Sequence, residues 1–318
     1  MIQLFNIPNY TINTADFSHY LHGSIVEEFE TNFLNYVGAK YACSVNSATN
    51  AIFLMLLNKN TIVDVPSLIP PVVLNAIITS GNTPRFTDNI DWVGSSYILH
   101  EFDDYKIIDS AQRVDRNQFA NEANDNDLMF FSFYPTKPVG SSDGGIIVSN
   151  DKSKIDYLKT LSFNGMSFST NNWERKVIMP GYKFYMNSIQ AYIANENLKL
   201  LDAKKERLSE IRNIYNKELG YNNTSDHLYR INVDHRDHFI DIMKQAGIVC
   251  GIHYDAQHLN QVYAFHSVNE YGQRSHKRCP LSKLESTRTV SIPFHEELTE
   301  SDINYILNTI KSYELPKS

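Results

Sequence analysis

Short apolar runs alternate with helical segments through the first 200 residues, and this alternation restricts the fold more than any other feature of the chain. Residues 41–45, 61–66, 105–109, 128–133 and 145–149 read as strands. They lack the in–out alternation of a half-solvated sheet, so their sheet should be covered on both faces. Residues 24–37 place Ile25, Phe29, Phe33 and Tyr36 at helical spacing. Asn46-Ser47-Ala48-Thr49 opens a helix that reaches Leu57. Pro70-Pro71 opens another, since proline is tolerated in a first helical turn. Strands alternating with helices in this way predict an α/β fold. A long helix is expected over 188–217, and the pattern then changes. A strand follows at 229–233, a helix at 237–246, a strand at 248–253, and a last helix at 300–312 with Thr299 as its N-cap. We therefore expect a large α/β domain over residues 1–200 and a smaller α+β domain over 201–318.

Composition narrows the function classes. The chain has 318 residues, 42% hydrophobic and 20% charged, enough to bury a core without disulfides or a structural metal. Its 36 acidic and 29 basic residues give a net charge of −7, unsuited to general binding of nucleic acid or an anionic membrane. A locally positive pocket for a small anion stays compatible with that charge. Cys43, Cys250 and Cys279 are odd in number and far apart, which excludes a disulfide framework and gives no metal-ligand spacing. The first ten residues lack the basic and apolar regions of a secretion signal, and no run of 18 apolar residues offers a spanning helix. A cytoplasmic protein is expected.

Three segments can carry chemistry. At Asn46–Ala51, small hydroxylated residues at a strand-to-helix junction leave free backbone N–H groups that favour a phosphate, although an ordinary N-cap has the same composition. At Ile107-Ile108-Asp109-Ser110-Ala111-Gln112, a carboxylate stands just past a strand end, where open α/β sheets bind ligands; it can also cap the next helix. At Phe131-Ser132-Phe133-Tyr134-Pro135-Thr136-Lys137, followed by Asp143-Gly144-Gly145, a lysine is placed to lose solvent. Desolvation lowers an amine's pKa and makes it a nucleophile, whereas a lone loop lysine is ordinarily a solvated charge.

In this order the three segments resemble the DegT/DnrJ/EryC1/StrS family of sugar aminotransferases, which use pyridoxal phosphate on a fold-type I scaffold. The resemblance extends over most of the chain. It includes Gly23–Ala51, Val65-Pro66-Ser67 with Asn75-Ala76 and Gly81, Gly181-Tyr182 with Met186 and Gln190, Ile252-His253-Tyr254 with His258-Leu259, and Ser291–His295 with Asp302. It implies a mostly parallel sheet covered by helices, a smaller C-terminal domain, and a homodimer with shared sites. By the same resemblance Lys137 would attach to the cofactor aldehyde and then move protons, and Asp109 would pair with the protonated ring nitrogen. Gln112 would meet the ring hydroxyl, while Ser132, Ala48 and Thr49 would hold the phosphate. Asn164, His253 and His258 would belong to the substrate side. The implied reaction moves an amino group from an amino acid, usually glutamate, to a nucleotide-linked keto-sugar for amino-sugar or polysaccharide synthesis.

The chain departs from the family pattern at several positions. Pro70 replaces the aromatic that stacks on the cofactor ring, and we expect it to cover one ring face. Ser47-Ala48-Thr49 replaces Ser-Gly-Thr, and Asn164-Gly165 replaces His-Gly. Lys183 stands for the asparagine that reaches the partner subunit's phosphate; Tyr185 stands for an arginine. Between Asp88 and Asp109, where the family fits an extra strand and helix, only residues 89–108 remain. Two alternatives stay open: a non-catalytic relative that binds a sugar nucleotide, and an enzyme of the same fold acting on another keto substrate. Lys137 argues against the deoxygenating branch, which carries histidine there.

Overall fold

The computed structural model describes residues 1–12, 17, 19–21, 23–167, 175–269, 271–273 and 279–313. Its elements run α1 (Ser24–Val37), β1 (Tyr41–Val45), α2 (Ala48–Leu56), β2 (Ile62–Pro66), α3 (Pro71–Thr79), β3 (Thr83–Thr87), β4 (Tyr97–Glu101), β5 (Lys106–Asp109), α4 (Gln118–Glu122), β6 (Leu128–Ser132), β7 (Gly145–Ser149) and α5 (Lys152–Ser162). Then follow α6 (Ser188–Leu219), β8 (Tyr229–Asn232), α7 (Arg236–Gln245), α8 (Gln261–His266), α9 (Pro280–Arg288), β9 (Thr289–Ile292) and α10 (Glu300–Ser312).

Five strands pair in the order β1-β7-β6-β5-β4, while β2 and β3 form a separate parallel pair. β5 and β6 are parallel; β7 is antiparallel to both β1 and β6, and β4 is antiparallel to β5. Three of the five strands, β1, β5 and β6, therefore point the same way. Successive side chains leave a strand on opposite faces, and β6 uses both. Leu128 and Phe130 join a core with Ile52, Leu54, Val73 and Leu158, whereas Met129 and Phe131 join a core with Phe29, Phe33 and Ala194. The sheet is thus covered on both sides, α2, α3 and α5 facing α1 and the first half of α6.

α6 is continuous across residue 200 and starts with a capping box, in which Asn187 and Gln190 satisfy each other's backbone N–H groups. Its second half packs with β8, β9, α7 and α10 in a third core around Tyr215, Tyr229 and Phe239. Thr299 caps α10 as expected, with Asp302 completing the box. Residues 248–253 do not form a strand. Ile248 and Gly251 make only isolated bridges, the first to Ile2 of the N-terminal segment and the second to Ser291 of β9, so the segment divides its pairing between two neighbours. β3, β4, α4, α5, α8, α9 and β9 were not anticipated. α5 is capped by Asp151, whose carboxylate accepts from Ser153 N and Lys154 N.

The short interval before Asp109 has a definite outcome. β4 and β5 are joined by residues 102–105 alone. A parallel neighbour needs a crossover of roughly a dozen residues, so the link dictates a hairpin, and β4 runs against β5 with Tyr97 directly opposite Asp109.

Candidate active site

Because β1, β5 and β6 run in one direction, their C-terminal ends lie on one edge of the sheet. That edge gathers the three segments singled out in the sequence: Asn46–Thr49 after β1, Asp109–Gln112 at the end of β5, and Ser132–Lys137 at the end of β6. β4 runs the other way, so its first residue, Tyr97, reaches the same edge.

At α2, Ser47 is the N-cap and its hydroxyl accepts from Asn50 N at 3.2 Å. The amides of Ala48 and Thr49 precede the first intrahelical bond, so the helix supplies them no acceptor. β7 comes very close to this helix end: a Cβ on Gly145 would lie 2.8 Å from Ala48 N and Cα. Glycine at 145 is required by that approach. Ser132 is nearly buried beside it and pairs in register with Gly145.

Asp109 is 4% exposed. Its Oδ1 accepts from Ala111 N at 2.8 Å and its Oδ2 from the Tyr97 hydroxyl at 3.0 Å. Burial pushes the carboxyl up to about 6, against these two hydrogen bonds and the charge of Lys137, which all pull it down. Lys137 hangs from a tight turn in which its N–H donates to Tyr134 O, and the chain returns through Ser141 N, which donates to Phe133 O. Burial lowers its amine to about 8, and the Asp109 charge opposes that shift. Nζ lies 3.5 Å from His227 Nε2. The buried His227 ring stacks on Phe5 at 5.5 Å and is held well below its ordinary pKa, chiefly by burial and then by the Lys137 charge.

Gln112 is buried with both ends used: Oε1 accepts from Gly94 N at 2.7 Å, and Nε2 donates to the Tyr254 hydroxyl at 2.9 Å. Tyr254 stacks parallel to Trp92 at 6.1 Å, and Trp92 leans on Tyr97 at 4.8 Å. The indole N–H of Trp92 is satisfied by Leu68 O. An aromatic wall from residues 92, 97 and 254 thus borders Asp109 and Gln112.

The remaining candidates come from separate segments of the chain. Pro70 is the N-cap of α3. Asn164 adopts φ 57° and donates its N–H to Tyr182 O; beside it, a Cβ on Gly165 would run into Met179 O and one on Gly181 into Gly165 N, so neither has room for a side chain. Lys183 is exposed, its backbone bridging Phe163. His253 Nδ1 is 2.9 Å from Ser291 Oγ, and burial lowers that ring to about 4. His258 is buried, with Nδ1 2.6 Å from Ser67 Oγ, so it ties its segment to the end of β2.

Tyr97, His227 and Trp92 were not among the sequence candidates. The contracted interval was the available signal for Tyr97, because any residue pairing with β5 near Asp109 must enter the site. His227 comes from 90 residues beyond Lys137, and no local pattern marks it.

The model of the DegT/DnrJ/EryC1/StrS aminotransferase family matches residues 7–92 and 120–311. The unmatched interval contains β4, Asp109 and Gln112. A UDP-4-amino-4,6-dideoxy-N-acetyl-beta-L-altrosamine transaminase of Campylobacter jejuni is 26% identical, with 91% of this chain and 90% of that protein aligned. The spore coat polysaccharide biosynthesis protein SpsC of Bacillus subtilis is also 26% identical, over 91% of this chain and 89% of its own. Among solved structures, the aminotransferase TlmJ of Streptoalloteichus hindustanus superimposes with a TM-score of 0.80 at 20% identity, covering 98% of each chain.

Proposed function

Since the chain belongs to the DegT/DnrJ/EryC1/StrS aminotransferase family, we propose that this sheet edge holds pyridoxal phosphate and transfers an amino group from an amino acid, L-glutamate by the family resemblance, to a nucleotide-linked keto-sugar. The observation that carries the reading is that the half-buried Lys137 shares this sheet edge with the buried Asp109, desolvation lowering the amine to about 8 and raising the carboxyl to about 6 while each charge opposes the other's shift.

The residues suit that cofactor. Each carboxylate oxygen has two acceptor positions, and Asp109 uses one on each, which leaves room for a protonated ring nitrogen. The Ala48 and Thr49 amides, at the positive end of α2, suit a phosphate, and Ser132 stands next to them. Pyridoxal phosphate, when bound, supplies a conjugated ring that accepts the electron pair released at the donor's Cα. Lys137 Nζ would hold the cofactor covalently and carry protons; its lowered pKa leaves a usable neutral fraction at physiological pH. Asp109 would keep the ring nitrogen protonated. Trp92 and Tyr254 would help exclude water.

Asn164, His253 and His258 would lie toward the sugar nucleotide, where the 1–200 and 201–318 domains meet. Exposed Lys183 would reach the cofactor phosphate of a second subunit in a cytoplasmic homodimer. Among the described residues, no helix is long and apolar enough to cross a membrane.

The absorption spectrum tests this reading. Protein incubated with pyridoxal phosphate and desalted should keep a yellow band that glutamate bleaches. A colourless protein would contradict it.

A further inference from the structure

We propose that Tyr97 is a positioning residue of the active site, fixing the Asp109 carboxylate and keeping it ionised for the cofactor ring nitrogen. The inference rests on the pyridoxal phosphate reading above. It comes from the part of the chain where the family model has no match, residues 93–119.

Three observations lead to it. The link at 102–105 is too short for a crossover, so β4 turns back and Tyr97 stands opposite Asp109 in the strand register. The phenol O–H donates to Oδ2 at 3.0 Å while Ala111 N holds Oδ1 at 2.8 Å, so both oxygens are fixed from opposite sides. Trp92 packs on the Tyr97 ring at 4.8 Å and is itself anchored through its N–H to Leu68 O, so the phenol has little freedom to turn away.

The charged and titratable groups facing Asp109 come from three other places. Tyr97 lies on β4, Lys137 on the loop after β6, and Tyr254 on the C-terminal part of the chain. Lys137 is the one cation among them, and covalent attachment to the cofactor would use its amine. The Tyr97 bond is independent of that amine. A desolvated carboxylate left with a single backbone donor would favour its protonated form, and a protonated Asp109 cannot pair with a ring N–H⁺. Tyr97 is itself held far above its usual value by burial and then by the Asp109 charge, so it remains a donor at all working pH values.

The test is Tyr97→Phe, which keeps the ring packing and removes the donor. Carboxyl ¹³C NMR on cofactor-free protein labelled at aspartate reads Asp109 directly, its signal being assigned by its loss in Asp109→Asn. A hydrogen bond to an ionised group corresponds to about one pH unit or more, so the midpoint should rise from about 6 by that amount. Retention of pyridoxal phosphate at pH 7 should weaken by roughly tenfold, and its acid limb should move up with the carboxyl midpoint. The same bond can be read from its other end. Asp109→Asn should let the Tyr97 phenol ionise at lower pH, seen as a tyrosinate absorbance lost in the double variant with Phe at 97. An Asp109 midpoint unmoved in folded Tyr97→Phe overturns the proposal. So does a shifted midpoint with unchanged cofactor retention. Wild-type protein that never takes up the cofactor overturns the underlying reading, and the carboxyl midpoint then shows whether the Tyr97–Asp109 bond exists apart from it.

Discussion

Lys137 Nζ and His227 Nε2 lie 3.5 Å apart although 90 residues separate them in the chain. Burial, and then the Lys137 charge, keep His227 neutral, so the charge that Lys137 titrates against is that of Asp109. The rate of covalent cofactor capture should then show two limbs. It should fall below about 6 as Asp109 takes a proton, and rise through about 8 as Lys137 loses one. Stopped-flow absorbance between pH 5 and 9.5 measures both. The acid limb should survive in His227→Gln and vanish in Asp109→Asn.

Asp109 is held in a charge state that burial disfavours. Its folded value of about 6 lies above the ordinary 3.8. Between those values the folded protein binds the extra proton, so stability from this group falls as pH rises through the window and stays lost above it. Cofactor-free Asp109→Asn should therefore be more stable at pH 8 by on the order of 1–3 kcal/mol. It should gain nothing below pH 4, and it should retain cofactor poorly. Urea unfolding at the two pH values checks the sign. An equal or lower stability at pH 8 would refute the assignment.

Gly145 sets how near β7 comes to the α2 amides. Gly145→Ala would put a methyl 2.8 Å from Ala48 N and Cα, backbone atoms that cannot swing aside. Such overpacking costs about 1–3 kcal/mol. Affinity for inorganic phosphate, by calorimetry on the cofactor-free protein, should drop along with stability. Retained phosphate binding would remove α2 from the cofactor site.

Much of this site could be read from the residues in order. Asn46–Thr49, Asp109–Gln112 and Ser132–Lys137 each follow an apolar run too uniform to be a half-exposed strand, so each sits at a strand end. The Thr299 N-cap is local and was legible for the same reason. What escaped depends on chain length or on long-range contact. The direction of β4 follows from four residues, 102–105, and not from any side chain; Tyr97 therefore enters the site without a motif. Residues 248–253 have strand composition, but they divide their pairing between the N-terminal Ile2 and Ser291 of β9. His227 is placed by the return of β8 beside α6, which no spacing encodes.

We propose that Lys137 carries the cofactor. Lys137→Ala should still bind pyridoxal phosphate through Asp109 and the α2 amides, but release it readily on dialysis and lose transamination by orders of magnitude. Lys137→Arg should fail equally, since a guanidinium stays protonated and cannot attack an aldehyde. The most direct measurement is borohydride reduction of the loaded protein followed by peptide mass mapping. A single pyridoxyl group is expected on the peptide that contains Lys137, absent from Lys137→Ala. A label on any other lysine, or none on wild-type protein, would contradict it.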